Sequence, residues 1–231
     1  MTAASLQRDG FALVRSVIPP GDCKEIAARL DRRFRQPNST NSSNYGVRDL
    51  LNQAPEVREL ADSGAIHSLV VPLLGERARP MRGIFFDKTK DANWKVAWHQ
   101  DLTIAVKDRV DVDGFHAWST KAGILHVQPP DSVLANILTV RIHLDETDSS
   151  NGALRVVPGS HAFGRLSPEN VQSLRSATVP VNCDAARGDV LLMRPLLLHA
   201  SSAGTEPRRR RIIHLEFSAE KLPGGLEWYG S

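Results

Sequence analysis

The chain has 231 residues, 41% of them hydrophobic and 24% charged, with a formal net charge of +3. That length suits one substantial core, and the composition is that of an ordinary globular protein, which argues against disorder and fibrous repeats. Lysines and arginines are interspersed with aspartates and glutamates almost everywhere, so the small positive excess gives little support for nucleic-acid binding.

From the N-terminus, FALVRSVI (11 to 18) predicts a short strand, and CKEIAARLDRRF predicts an amphipathic helix after a Pro-Pro-Gly-Asp turn. NSTNSSN follows as a polar loop holding two N-x-[ST] sequons, at Asn38 and Asn41. A helical pattern then covers 47 to 74, divided into short pieces by Pro55, Gly64 and Pro72. Beyond Gly75 short runs of Val, Ile, Leu and Phe are punctuated by Gly, Pro, Asn and Asp, which is the texture of many strands. They fall at 82–88, 96–101, 123–127, 134–145, 153–158, 189–194, 196–200 and 210–217, with one helix at 167–176. The fold expected is mainly β with flanking helices: a double-stranded β-helix, or jelly roll, over 76–217 and a mostly helical flank over 1–75, in a single domain. The stretch from Lys107 to Ser132, rich in Gly, Pro and Asp, is expected to be a loop that shapes substrate choice, with His116, Trp118 and His126 on it. Asn151-Gly152 is expected to turn a hairpin, and His161, after Pro158-Gly159-Ser160, to be structural.

Cys23 and Cys183 show no CxxC spacing, which excludes a disulfide framework and a zinc knuckle and predicts reduced thiols. No secretion signal and no membrane-spanning run is visible, so a cytoplasmic protein is expected, without membrane or nucleic-acid partners.

His99 and Asp101 stand at i and i+2, and on a strand such residues project from one face toward a shared ion. A second apolar run, LLMRPLLLHASS, brings His199 as a third ligand. Two imidazoles and one carboxylate leave three octahedral positions open, as non-haem iron(II) requires to take a co-substrate and oxygen. His143 and Asp145 have the same spacing, but too few strands would remain between them and His199 to carry it round a barrel. Asp145 also opens the acidic turn DETDSSNG, where turn hydrogen bonding is its expected role. Along LANILTVRIHLD, alternation puts Thr139, Arg141 and His143 on one face, which is expected to line a pocket. A buried arginine must be paired, so Arg141 is expected to meet a bound anion.

These blocks resemble the phytanoyl-CoA dioxygenase family of 2-oxoglutarate-dependent oxygenases. The resemblance is carried by FFDKTKDANWKVAWHQDLT, RIHLDETDSSNGALRVVPGSHAFGRL and GDVLLMRPLLLHASS followed by RRRRIIHLEF, over about residues 83 to 217. It implies a jelly roll, an iron(II) site of His99, Asp101 and His199, and 2-oxoglutarate and O2 as co-substrates. It further implies that Arg210, eleven residues after His199, anchors the far carboxylate of 2-oxoglutarate, with Ser201 helping. A guanidinium fork suits that carboxylate, and strand alternation separates Arg210, Ile212 and His214 from Arg209 and Arg211. Thr139 and Lys88 are expected beside the co-substrate. Arg141, His143, Arg48 and Trp118 are expected beside a small-molecule substrate, polar or anionic, and Trp94 is a further candidate. Because Asp101 fills the carboxylate position, hydroxylation with release of succinate and CO2 is expected rather than halogenation. Two other functions are open to the same fold: a cupin-type metalloenzyme that does not use 2-oxoglutarate, and an inactive jelly-roll protein that senses a metabolite.

Overall fold

The computed structural model describes residues 2–34, 46–206 and 208–230. In chain order its elements are α1 (Thr2–Asp9), β1 (Phe11–Val14), α2 (Pro20–Phe34), α3 (Leu50–Gln53), α4 (Pro55–Ala61) and α5 (Gly64–Leu74). Then come β2 (Arg79–Lys88), β3 (Val96–His99), β4 (Ile104–Val106), β5 (His116–Lys121), β6 (Ile124–Gln128) and α6 (Asp131–Ala135). The chain continues through β7 (Leu138–His143), β8 (Leu154–Val156), α7 (Pro168–Ala177), β9 (Val181–Asn182), β10 (Val190–Met193), β11 (His199–Ser201) and β12 (Arg210–Ser218). The two sequons lie outside the described residues.

The strands form a larger antiparallel sheet in the order β1-β10-β7-β12-β2 and a smaller one in the order β3-β11-β8-β9. Alternation decides what each face of the larger sheet touches. Leu138, Val140 and Ile142 of β7, with Ile213 and Leu215 of β12, pack against Leu30, Leu50, Val57 and Ile66 of the helices. Toward the smaller sheet, Leu191, Met193 and Leu197 pack on Leu154 and Val156. The rest of that inner face mixes cations and imidazoles with Ile84, Phe86 and Ile212: the register sets Arg210 beside Lys88, and His214 beside Arg141 on one side and Ile84 on the other. The expected jelly roll with flanking helices is therefore present.

Several boundaries differ from expectation. The first strand stops at Val14 because Ser16 turns the chain with a positive φ and gives its amide to the buried Asp189 at 2.8 Å. That strand pairs with β10, so the helical flank contributes an edge to the main sheet. Helix α5 runs two residues past Pro72, whose ring falls in its last turn. The stretch from Lys107 to Ser132 is no open loop: it supplies two strands of a third sheet, β4-β6-β5, with β5 and β6 turning through Ala122 and Gly123, both at positive φ. The core also extends past 217, since Leu222, Leu226 and Trp228 pack with Ile104, Val106 and Val127.

Asn151-Gly152 turns no hairpin, because β7 and β8 belong to different sheets. A capping box between Asp148 and Asn151 closes a single 3-10 turn there instead. Gly152 follows at φ 80°, and a Cβ at this point would run into the carbonyl of Ser202 and the ammonium of Lys88. Glycine alone satisfies both conditions. Gly152→Ala should lower stability by about 1–3 kcal/mol; an unchanged urea midpoint would show that the turn relaxes freely.

Candidate metal centre and co-substrate pocket

Between the two sheets lies a cavity of about 540 Å³. The smaller sheet brings His99 of β3 opposite His199 of β11 in register, with ring centroids 4.2 Å apart. Asp101 comes from the segment just after β3 rather than from a strand, so the expected strand 96–101 ends two residues early. Its backbone amide donates to Pro195 at 2.9 Å, and its carboxylate oxygens lie 3.8 Å from His99 Nε2 and 3.7 Å from His199 Nε2. One donor atom from each of the three residues falls within 4.8 Å of the others.

The protonation states suit a cation. His99 Nδ1 donates to the Ala97 carbonyl at 2.9 Å and His199 Nδ1 to that of Leu197 at 2.8 Å, since a carbonyl can only accept. In the neutral imidazole this tautomer turns each Nε2 lone pair toward a ligand bond, with orientation fixed from behind. Burial, opposed by Asp101, pushes His199 down to about 4, so it is neutral at physiological pH. Burial would raise the Asp101 carboxyl, but the fields of His199, His214, His99 and Arg82 outweigh it and hold the group ionised. A neutral imidazole at His199 and an ionised carboxylate at Asp101 are states a divalent metal needs, and two histidines with one carboxylate fit iron(II).

The larger sheet supplies cations to the facing wall. Arg210 is buried, donates from Nη1 to the Gly152 carbonyl, and leaves Nε without a partner. Ser201 Oγ donates to the same carbonyl at 2.9 Å. Arg141 lies with its guanidinium 5.5 Å from the centre of the Phe86 ring and gives Nη1 to His214 Nδ1 at 2.9 Å, again with Nε unpaired. That bond makes Nδ1 an acceptor, so the His214 proton sits on Nε2, 3.4 Å from Glu216 Oε1. Arg209 and Arg211 point the other way, Arg209 to Asp31 and Asp87, Arg211 to Asp31 and Asp145. No carboxylate pairs with Arg210 or Arg141 among the described residues, and a 2-oxoglutarate carboxylate fits that deficit.

Of the residues singled out in the sequence, His99, Asp101, His199, Arg210, Ser201, Arg141, Arg48 and Trp94 line the cavity. Lys88 stands just behind the wall, its ammonium donating to the Ser202 carbonyl at 2.8 Å and lying over the Trp94 ring. Burial, with Arg210 beside it, pulls its pKa down to about 7. Four expectations need correction. Thr139 is on the correct face but two residues beyond Arg141, where it sits between Met193 and Glu216 in the registers of β10 and β12, sealed from the cavity. His143 is sealed at the other end and bonds Thr147 Oγ1 at 3.1 Å. The inner face of β7 is longer than the cavity it borders. Trp118 packs into the second core cluster under Arg109. The Asp145 carboxylate, expected to serve in turn hydrogen bonding, instead receives Arg211 and Arg187. Arg82, Phe86, Lys121 and His214 line the cavity without having been assigned a role; continuing the alternation from Lys88 back along β2 reaches Phe86 and Arg82.

A model of the phytanoyl-CoA dioxygenase (PhyH) family matches residues 6–212. The chain belongs to this family. A 74-residue stretch is 38% identical to dioxygenase himG of Aspergillus japonicus, covering 32% of this chain and 21% of that protein. EctD from S. alaskensis, solved with 2-oxoglutarate and 5-hydroxyectoine, superposes with a TM-score of 0.70 at 19% identity over 94% of this chain and 74% of that one. The epimerase SnoN, solved with Fe3+, α-ketoglutarate and nogalamycin RO, gives 0.70 at 19% identity over 97% and 90%. Both of those proteins were solved with 2-oxoglutarate, SnoN also with iron, and this chain shares their fold. No helix among the described residues is long and apolar enough to cross a membrane.

Buried histidines make stability depend on pH. His126, His143 and His199 are pushed by burial to about 4, 3 and 4, below the 6.5 of a free imidazole. The unfolded chain therefore takes up protons first as pH falls below 6.5, so the stability these groups confer is complete above that value and declines toward pH 4. The urea midpoint of the metal-free protein should fall between pH 7 and pH 5, and a flat profile would mean that the histidines are not held neutral.

Proposed function

We propose that the protein hydroxylates a small polar or anionic molecule, with His99, Asp101 and His199 holding iron(II) and Arg210 with Ser201 holding the far carboxylate of 2-oxoglutarate. The observation that carries this is the pairing of a two-histidine, one-carboxylate set on one wall of a cavity with an unpaired buried arginine on the other. When bound, iron(II) would activate O2, the oxidant, with 2-oxoglutarate giving two electrons as it is decarboxylated to succinate and CO2 and the substrate C–H bond giving the other two, so that one oxygen atom ends in succinate and one in the product.

The chain's own contribution is placement and charge. Arg210 offers a planar fork whose cost of burial is already met in the folded state, so a carboxylate reaching it recovers a charge-assisted pair in a low dielectric. Ser201 is free to turn its hydroxyl from the Gly152 carbonyl to the incoming carboxylate. Arg141, held by His214 and Phe86, extends the positive wall toward the metal. Asp101 contributes the single negative ligand, which leaves no site for a halide in its place.

Two measurements test this. With iron(II), O2 and 2-oxoglutarate the protein should release succinate, and His99→Ala or Asp101→Ala should abolish that release while leaving the circular dichroism spectrum unchanged. Succinate from either variant at the wild-type rate would mean that the ligands are misassigned. Arg210→Ala should weaken 2-oxoglutarate binding by about thirtyfold or more, the equivalent of about 2 kcal/mol for removing a buried charge partner. Arg209→Ala, whose side chain is engaged with Asp31 and Asp87, should change it less than threefold, and the opposite order would assign the anchor to Arg209.

A further inference from the structure

The cavity carries a second group of cations, separate from Arg210. Arg48, Arg82 and Lys121 all line it. Two of them are gathered on one residue: Arg82 Nη1 donates to the Thr103 carbonyl at 3.2 Å and Lys121 Nζ to the Thr103 hydroxyl at 3.3 Å. Arg48 follows Val47, whose backbone pairs with Phe85 of β2, and it lines a cleft with Arg82 and Ile84.

The charges do not balance. Glu216 pairs with Arg82 at 3.3 Å and also receives His214. Arg48 and Lys121 have no carboxylate within ion-pair distance among the described residues. At longer range Glu216 acts on both and Asp101 on Lys121, but Glu216 already pairs with Arg82 and Asp101 belongs to the metal centre. Burial lowers the pKa of both Arg48 and Lys121, and the field of Arg82 lowers each further, so the three groups repel one another inside the fold. All three are only partly exposed, so they are not simply extended into water. Like charges assembled in a partly desolvated cleft raise the energy of the ligand-free protein, and an anion bound there relieves it.

From this juxtaposition the structure assigns Arg48 and Lys121, braced by Arg82, as an oxyanion subsite for the primary substrate. The substrate is a small molecule with a carboxylate or phosphate group seated there and its reacting carbon directed toward His99, Asp101 and His199. The assignment rests on the proposal above, in which 2-oxoglutarate takes the Arg210 end of the same cavity. Arg141 belongs instead to the positive wall assigned above to the co-substrate, where its field acts on Arg210.

The test uses the full chain with iron(II) and saturating 2-oxoglutarate under anaerobic conditions, titrated calorimetrically with benzoate, phenyl phosphate and benzamide. At least one of the two anions should bind tenfold or more tightly than neutral benzamide, and the preferred anion identifies the substrate's headgroup. Arg48→Gln and Lys121→Met should each weaken that anion tenfold or more, whereas Arg48→Lys, which keeps the charge, should stay within threefold of wild type. Equal binding of benzamide, absence of anion binding, or anion binding indifferent to both substitutions would overturn the subsite. A parallel titration with 2-oxoglutarate separates the two proposals. If Arg48→Gln loses 2-oxoglutarate as severely as Arg210→Gln, the cluster serves the co-substrate and the subsite falls. If Arg210→Gln keeps full affinity while the anion probes still depend on Arg48, the co-substrate assignment falls and the subsite stands.

Discussion

Arg210 is 3% exposed, with one Nη on the Gly152 carbonyl and Nε on nothing. Moving a guanidinium from water into a protein interior costs several kcal/mol, and one carbonyl offsets only part of that. Burial and the neighbouring Arg141 draw its pKa down to about 9, which still leaves it charged at neutral pH. The cost therefore stays in the folded protein until an anion arrives. Lys88, brought to about 7, is the softer of the two charges and can shed its proton to lessen the repulsion. Gly152 is the hinge of the arrangement, since its carbonyl receives both Arg210 and Ser201, and only a residue without a side chain leaves room for Lys88 and Ser202 behind it.

A strand with four consecutive arginines could slip by one residue and bury two guanidinium groups in place of one. The outward ion pairs prevent this. Asp31 comes from α2, Asp87 from β2 and Asp145 from the segment after β7, so acids from three separate parts of the chain hold Arg209 and Arg211 on the far face. The Arg211 amide also donates to the Asp145 carboxylate at 3.0 Å. The acid that resembles a metal ligand by spacing is thus part of the lock that turns Arg210 inward. Together these three partly buried acids leave Arg210 as the arginine of the run that faces the cavity.

What could be read from the sequence was whatever depends on period two. Alternation along β7 and β12 separates the helix-facing Leu138, Val140 and Ile142 from Arg141, and Arg210 and His214 from their neighbours, before any coordinate is known. Alternation does not say where a cavity ends along a strand, which is why Thr139 and His143 share a face with Arg141 but not its surroundings. Nor does it see pairings made by irregular backbone. The hairpin of β5 and β6 depends on Ala122 at positive φ, an unfavourable place for a residue with a side chain, so no Gly or Asn at that position announced the turn ahead of Gly123. Trp118 packs against a core cluster that includes Leu222, Leu226 and Trp228, a long-range grouping not evident from local pattern.

The metal ligands show the same division between regular and irregular backbone. His99 and His199 are held by strand pairing, but Asp101 leaves the strand, and a carboxylate on a free segment would have to be ordered at the moment of metal binding. Gln100, between the two ligands, removes that difficulty. Its Nε2 donates to the carbonyls of Gly164 at 2.8 Å and Leu196 at 2.6 Å, and its Oε1 accepts the Leu166 amide at 2.8 Å. Three bonds from one side chain, each worth about 1 kcal/mol, tie the segment to two loops. The Asp101 amide is fixed separately to Pro195. The carboxylate is therefore positioned by backbone and amide hydrogen bonds that need no metal, so binding energy from the ion is not spent on ordering the site that receives it.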